Sequence, residues 1–534
     1  MTKKYWIVIL AVAALAVALR LPRLQMRPMH GDEAVGAYKF GELLEEDYYR
    51  YDPHEYHGPA LNYFTLIVAR LAGEKSYASL TELTVRIVPV FFGFLLVLMP
   101  LLLLAGIGRA AAVVAAGLTA ISPAFVFYSR YYIHEMLLVC FTFAVIVGGY
   151  RYAKSGKIGW AICTGVFVGL IHATKETCVI AFGSMLAALA LTLLFRRRAG
   201  GIDGSPRKIK AVHLLAAAAA AIIVSALFFS SFLTHPQGII DSVRTYGAYF
   251  SRANQNQLHN HPWYYYLQIL LYRPGYANQP PWTEGLIVIL AAAGLVFIVV
   301  KKSLPTAERS LFYFIALYTV IITVVYSAIP YKTPWCLLSF FHGMILLAAV
   351  GTAAIFKFAS RASVRIILGF AFGLALLDLL LQAYLSNYVY YADYTNPYVY
   401  AHPTTDVFKI TNQLKDVSAA HPAHYGMGVE VVVPDADYWP LPWYFRRFTN
   451  VGWRSGVGQM TRTAPVVIAS PDVEDALIAQ LYALAPPGEK NLYMPLFDGY
   501  IQLRPEIELR GYITKELLDK YNQLEAAEIQ EAQK

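Results

Sequence analysis

Two adjacent carboxylates, Asp32 and Glu33, stand in the stretch HGDEAVGAYKF (30–40), directly after a first hydrophobic segment. Apolar or aromatic residues follow at Val35, Tyr38, Phe40, Leu43 and Leu44. That spacing predicts an amphipathic helix lying at a membrane surface. An acid in the first turn is favoured by the helix dipole, so Asp32 reads as a capping acid. It also reads as a general base at the membrane–water boundary, where partial burial tunes a carboxylate.

Other chemistry-bearing pieces follow. YDPHEYHGP (51–59) sets His54 and His57 three residues apart. A zinc-protease helix needs His-Glu-x-x-His; here the second histidine comes one residue early, and Gly58 and Pro59 end any helix. YSRYYIHE (128–135) opens an apolar run. Arg130 there is either an interfacial snorkelling residue or a phosphate holder with Glu135 turned into a cavity. Lys175 and Glu176 lie between two short apolar runs, where ionisable groups are costly and usually functional, or they form a simple outer-turn pair. HNHPWYYY (259–266) supplies His259 and His261. YKTPW (331–335) supplies Lys332, a phosphate binder or a flanking lysine.

These pieces need a scaffold, and composition says which kind. The 534 residues are 57% hydrophobic and only 15% charged, where a soluble chain carries about 25% charge. Mean hydropathy is +0.45. We read about eleven membrane spans, near 5–21, 83–105, 109–128, 134–150, 158–173, 177–195, 211–233, 285–300, 310–328, 335–356 and 364–384. The first reads as an uncleaved anchor, because more spans follow and 20–23 makes a poor cleavage region. With the N-terminus cytoplasmic, loops 106–109, 151–157, 196–210, 301–309 and 357–365 all carry Lys or Arg, the expected inside bias. The net charge of +9 is therefore a topology signal, not a nucleic-acid surface. The four cysteines read as small hydrophobes in packed helices, with neither metal nor disulfide spacing.

This topology returns the acids, cations and aromatics to the outer face, in 22–82, 129–133, 174–176, 234–284, 329–334 and the tail. A transporter would place ionisable groups near mid-bilayer, and Asp378 is the main exception here. We divide the chain into a membrane unit, 1–384, and an extracytoplasmic α/β domain, 385–534. The latter is predicted from strands at 429–434 (VEVVVP) and 465–470 (PVVIAS), a helix at 472–484 and a charged final helix. Interfacial chemistry on an anionic lipid-linked substrate fits this arrangement.

The span followed by HGDEAVGAY, then YDPHEYHGP, resembles the protein mannosyltransferase and aminoarabinose transferase superfamily, membrane glycosyltransferases of the GT-C fold near glycosyltransferase family 39. YYIHE, TKE, HPWYYYL, YKTPW and the tail's DYWPLPWYFRR are similar to a flippase-activity-associated subgroup of archaea and bacteria. The resemblance implies a GT-C helical fold in the plasma membrane and a polyprenyl-phosphate sugar as donor. It implies a protein, lipid or glycan acceptor, and no nucleotide cofactor. Asp32 falls on the family acid that deprotonates the acceptor, with Glu33 orienting it, and Glu135 on a second family acid. His57 matches in place a glutamate that helps hold a metal in aminoarabinose enzymes, with His259 and His261 as the nearest matches to a loop histidine. A divalent metal therefore stays open. We infer Arg130, Lys175 and Lys332 for the donor phosphate. The other reading is a non-catalytic or transport role in lipid-linked glycan handling. A third is a sensor or assembly partner acting through the tail.

Overall fold

The computed structural model describes residues 3–55, 57–198, 209–253, 259–275, 279–300, 306–485 and 491–532. Arg207 and Lys208 of the predicted basic loop 196–210, and Lys301 of loop 301–309, lie outside them. The fold is mostly helical, with one small sheet near the C-terminus.

Among the described residues, seven helices are long and apolar enough to cross a membrane, or eight if the pair Arg109–Ile121 and Pro123–Ser129, bent by 60°, makes one span. The eleven predicted spans fall on helical segments, but 109–128 is the bent pair, Ile158–His172 and Gly285–Val300 are shorter apolar helices, and Lys3–Arg20, the predicted anchor, is not among the seven. Helix α1, Lys3–Arg20, is apolar between Lys3, Lys4 and Arg20. Helices α2, Gly31–Glu46, and α3, Ala60–Ala72, fill the segment 22–82. Helix α4, Glu82–Leu98, follows them. The helix predicted from 32 onward is α2; of its predicted apolar face Phe40, Leu43 and Leu44 are buried, while Val35 is partly exposed and Tyr38 exposed, and Ala34 and Ala37 are buried instead.

The sheet has the order β2-β1-β3-β6-β4, with β5 also paired to β6. Strands β1, Val429–Val432, and β3, Val466–Ala469, are the two predicted ones, and both are fully buried. They pair in parallel with each other, and β1 pairs in parallel with β2, Val451–Arg454. Strands β4, Tyr493–Pro495, β5, Ile501–Arg504, and β6, Ile507–Thr514, complete the sheet antiparallel.

The tail docks on segment 22–82 and on Tyr128 through polar pins. The Tyr444 hydroxyl accepts from the Met29 amide at 2.8 Å, and the Trp443 indole donates to Glu82 Oε1 at 2.8 Å. Arg446 donates twice to the Leu80 carbonyl. The Tyr128 hydroxyl donates to the Tyr398 carbonyl at 3.0 Å.

Candidate active site

The site is built on the start of α2. His30 is its N-cap: its Nδ1 accepts from the Asp32 amide at 3.0 Å, while Glu33 reaches back to accept from the His30 amide at 3.0 Å. The capping acid is thus Glu33, not Asp32. With Nδ1 accepting, the His30 proton sits on Nε2, which donates to the Tyr400 carbonyl at 3.1 Å. Both ring nitrogens are satisfied by the neutral imidazole.

Glu33 is spent on structure. Its side chain and that of Arg86 are both fully buried. Arg86 grips it bidentately, at 2.8 Å to Oε1 and 2.7 Å to Oε2, and Oε1 also accepts from the Tyr132 amide at 2.7 Å. Arg86 donates onward to the carbonyls of Leu24, Arg27 and Pro28. Burial alone would raise the Glu33 carboxyl, but the Arg86 guanidinium outweighs it and holds the group down at about 2. Such a charge cannot leave its partner without a large penalty. Asp32, one residue earlier, keeps 60% of its side chain exposed.

His259 and Tyr331 lie in the electrostatic field of Asp32. Loops 259–261 and 329–332 are tied by the Asn260–Tyr331 bridge, with the Lys332 amide donating to the His259 carbonyl at 2.9 Å. The Tyr400 hydroxyl meets His259 Nδ1 at 2.7 Å and His261 Nε2 at 3.2 Å. Partial burial pushes the Tyr331 hydroxyl up to about 12, with the Lys175 ammonium opposing and the Asp32 carboxylate assisting. Tyr331 therefore lies in the field of both.

Two further ion pairs stand in the same region. Lys175 is bonded to Glu135, both nearly buried. His57 Nδ1 meets Glu176 Oε2 at 2.8 Å, and the Tyr51 hydroxyl donates to Glu176 Oε1 at 3.2 Å. Burial would raise Glu176, but His57 holds it below the usual carboxylate range. Gly58 makes this possible: a Cβ there would lie 2.3 Å from the Ala173 carbonyl oxygen. Only glycine lets the first loop lie against that turn, and the Ala60 amide then donates to Ala173 at 2.8 Å.

Not every sequence-predicted residue faces this space. Arg130 is 4% exposed and donates to the carbonyls of Arg20, Pro22 and Arg23 and to the Tyr388 hydroxyl. It clamps the end of α1. The Lys332 ammonium donates to the His261 and Ile329 carbonyls, and burial lowers its pKa. It holds the two outer loops together. Arg86, Tyr400 and Glu284 were not singled out from sequence. Glu284 is fully buried and accepts from Ser122 Oγ at 2.5 Å, the Ala124 amide at 2.9 Å and the Tyr398 hydroxyl at 2.6 Å.

The three histidines proposed for a metal are drawn apart, His57 to Glu176 and His259 and His261 to Tyr400. Among the described residues no three His, Cys, Asp or Glu side chains form a group able to hold a metal ion. The residues present do not fit a metal site, and no step below runs through one.

Residues 62–236 match the family model of dolichyl-phosphate-mannose-protein mannosyltransferase. No curated protein sequence matches the chain. Among solved structures, ArnT from Cupriavidus metallidurans bound to undecaprenyl phosphate is similar with a TM-score of 0.60 at 15% identity, over 96% of this chain and 98% of that one. The Archaeoglobus fulgidus oligosaccharyltransferase tethered to an acceptor peptide is similar with a TM-score of 0.55 at 14% identity, over 96% of this chain and 76% of that one. These matches do not single out the flippase-associated subgroup. The chain shares its helical, membrane-spanning GT-C fold with these structures, and residues 62–236 resemble the mannosyltransferase family model.

Proposed function

We propose that the protein is a membrane glycosyltransferase that moves a sugar from a polyprenyl-phosphate donor to an acceptor hydroxyl at the outer face, with inversion. The observation that carries this reading is the split between the two acids. Glu33 is locked under Arg86, and this fixes the first turn of α2 and leaves Asp32 exposed, in the field of His259 and Tyr331, with Lys175 acting on the same Tyr331.

In this mechanism the donor lipid stays in the bilayer and its phosphate lies near Lys175. Asp32 takes the acceptor proton as its oxygen attacks the anomeric carbon from the face opposite the phosphate. The bond to phosphate oxygen breaks, and the polyprenyl phosphate leaves with both electrons, its growing charge met by Lys175. Glu135 holds Lys175 in place, and Glu176 holds His57. Arg130 and Lys332 act by fixing the loops. ArnT and an Archaeoglobus fulgidus oligosaccharyltransferase have been solved with undecaprenyl phosphate and with dolichol phosphate, which supports the donor class.

The test is donor turnover by purified protein in lipid, with a panel of polyprenyl-phosphate sugars and membrane extract as acceptor source. Wild type should release polyprenyl phosphate and Asp32→Asn should not. Equal behaviour of the two, or no donor consumed, would favour the transport or scaffold role.

A further inference from the structure

The tail motif that contains Tyr438 and Trp439 has no part in the chemistry above, yet it lies over the start of α2. Trp439 Cβ is 4.0 Å from where a Cβ on Gly31 would stand, one residue from Asp32. From there, partly exposed rings run in both directions. Trp453 on β2 meets Tyr438 at 5.0 Å between centroids, Tyr438 meets Trp439 at 6.4 Å, and Trp439 meets Tyr38 of α2 at 6.3 Å. Tyr38 is 44% exposed, and the other three are half-buried.

The loop that presents these rings is held in an unusual shape. Asp435 and Ala436 have φ of 54° and 58°, left-handed values that cost energy for residues other than glycine. Asp437 is then pinned by a salt bridge to Arg504 of β5. Asp435 is exposed, while Asp437 and Arg504 keep partial exposure beside the rings. Tyr438, Trp439 and Trp453 pack one side against the core and keep the other partly accessible, and Tyr38 is exposed, so the connected set offers ring surface to a partner.

We propose that this aromatic track binds the acceptor and that the acceptor is a saccharide chain. A pyranose presents an apolar C–H face that stacks on an aromatic ring and a rim of hydroxyls that bonds to carboxylate and guanidinium. The track offers both, and its lower end delivers a hydroxyl to Asp32. The set joins α2 to strand β2 of the tail sheet through the loop that carries Tyr438 and Trp439. The proposal rests on the transferase reading only for what happens to the bound chain.

The experiment measures binding of linear mannan, glucan and galactan oligosaccharides to the full-length protein in nanodiscs, followed by tryptophan fluorescence without donor. At least one class should bind, more tightly as length grows. Trp439→Ala and Tyr38→Ala should each weaken it about fivefold, the worth of one ring contact. Trp439→Phe should restore most of the loss. Tyr500→Ala, an exposed tail aromatic outside the track, should change nothing, and unfolding midpoints should show that the variants fold. No binding by any class would overturn the proposal. So would binding indifferent to both track variants, or variants that alter only vesicle or peptide association. Saccharide binding without turnover would keep the track and remove the transferase reading; turnover without saccharide binding would do the reverse.

Discussion

Asp32 and Glu33 are neighbours with opposite fates. The region below them is a dry knot of arginines: Arg20 and Arg86 are fully buried, Arg27 and Arg130 nearly so, with backbone carbonyls and Glu33 as their partners. The other region holds the exposed Asp32, with His259 and Tyr331 in its electrostatic field. A buried charge gripped on all sides stabilises a shape but has no capacity left for chemistry, whereas an exposed carboxylate can exchange a proton. A single residue step, about 100° around the helix, thus separates the anchoring acid from the one proposed to react.

The comparison breaks most readily at the knot. Glu33→Gln leaves Arg86 without its counter-charge and should cost about 3–5 kcal/mol of stability, seen as a large drop in the unfolding midpoint in detergent. Next comes acid. Glu33 titrates at about 2 in the fold against 4.5 without its partners, so its contribution is complete above pH 4.5 and is lost as pH falls toward 2. The loss is on the order of 3 kcal/mol. Glu33→Gln should flatten that part of the pH–stability curve, and an unchanged curve would place the acid sensitivity elsewhere.

The Lys175–Glu135 pair sharpens the comparison, because it is buried like the knot yet proposed for chemistry. Lys175→Met alone should cost both stability and turnover, as it strands a buried carboxylate. Adding Glu135→Leu should recover about 1–3 kcal/mol of stability without recovering turnover. Recovery of both would make the pair purely structural. The smallest effect is expected at Tyr400→Phe, which removes one hydroxyl shared by His259 and His261. It should cost about 1 kcal/mol and lower turnover a few-fold, read from kcat at saturating donor.

The helices were legible because membrane spans and the face of α2 leave periodic apolar patterns. So were β1 and β3, as short apolar runs closed by turns. The division of labour between Asp32 and Glu33 was not. The cap is a histidine, outside the usual Ser/Thr/Asp/Asn signature, and the partner that fixes Glu33 lies 53 residues away on α4. A lone Arg86 in an apolar span was the available signal, since such charges have a buried task. Arg130 misled because its motif looks interfacial, while the carbonyls it binds belong to the end of α1. Tyr400 could not be found without knowing that the tail folds back over loops 259–261 and 329–332.

The central claim is tested most directly by measuring unfolding and polyprenyl-phosphate release on the same preparations of wild type, Asp32→Asn and Glu33→Gln. Asp32→Asn should unfold within about 0.5 kcal/mol of wild type and lose turnover by a factor of about 100 or more, while Glu33→Gln should fail first in stability. An Asp32→Asn protein that still turns over donor, or one that unfolds as Glu33→Gln does, would contradict the account.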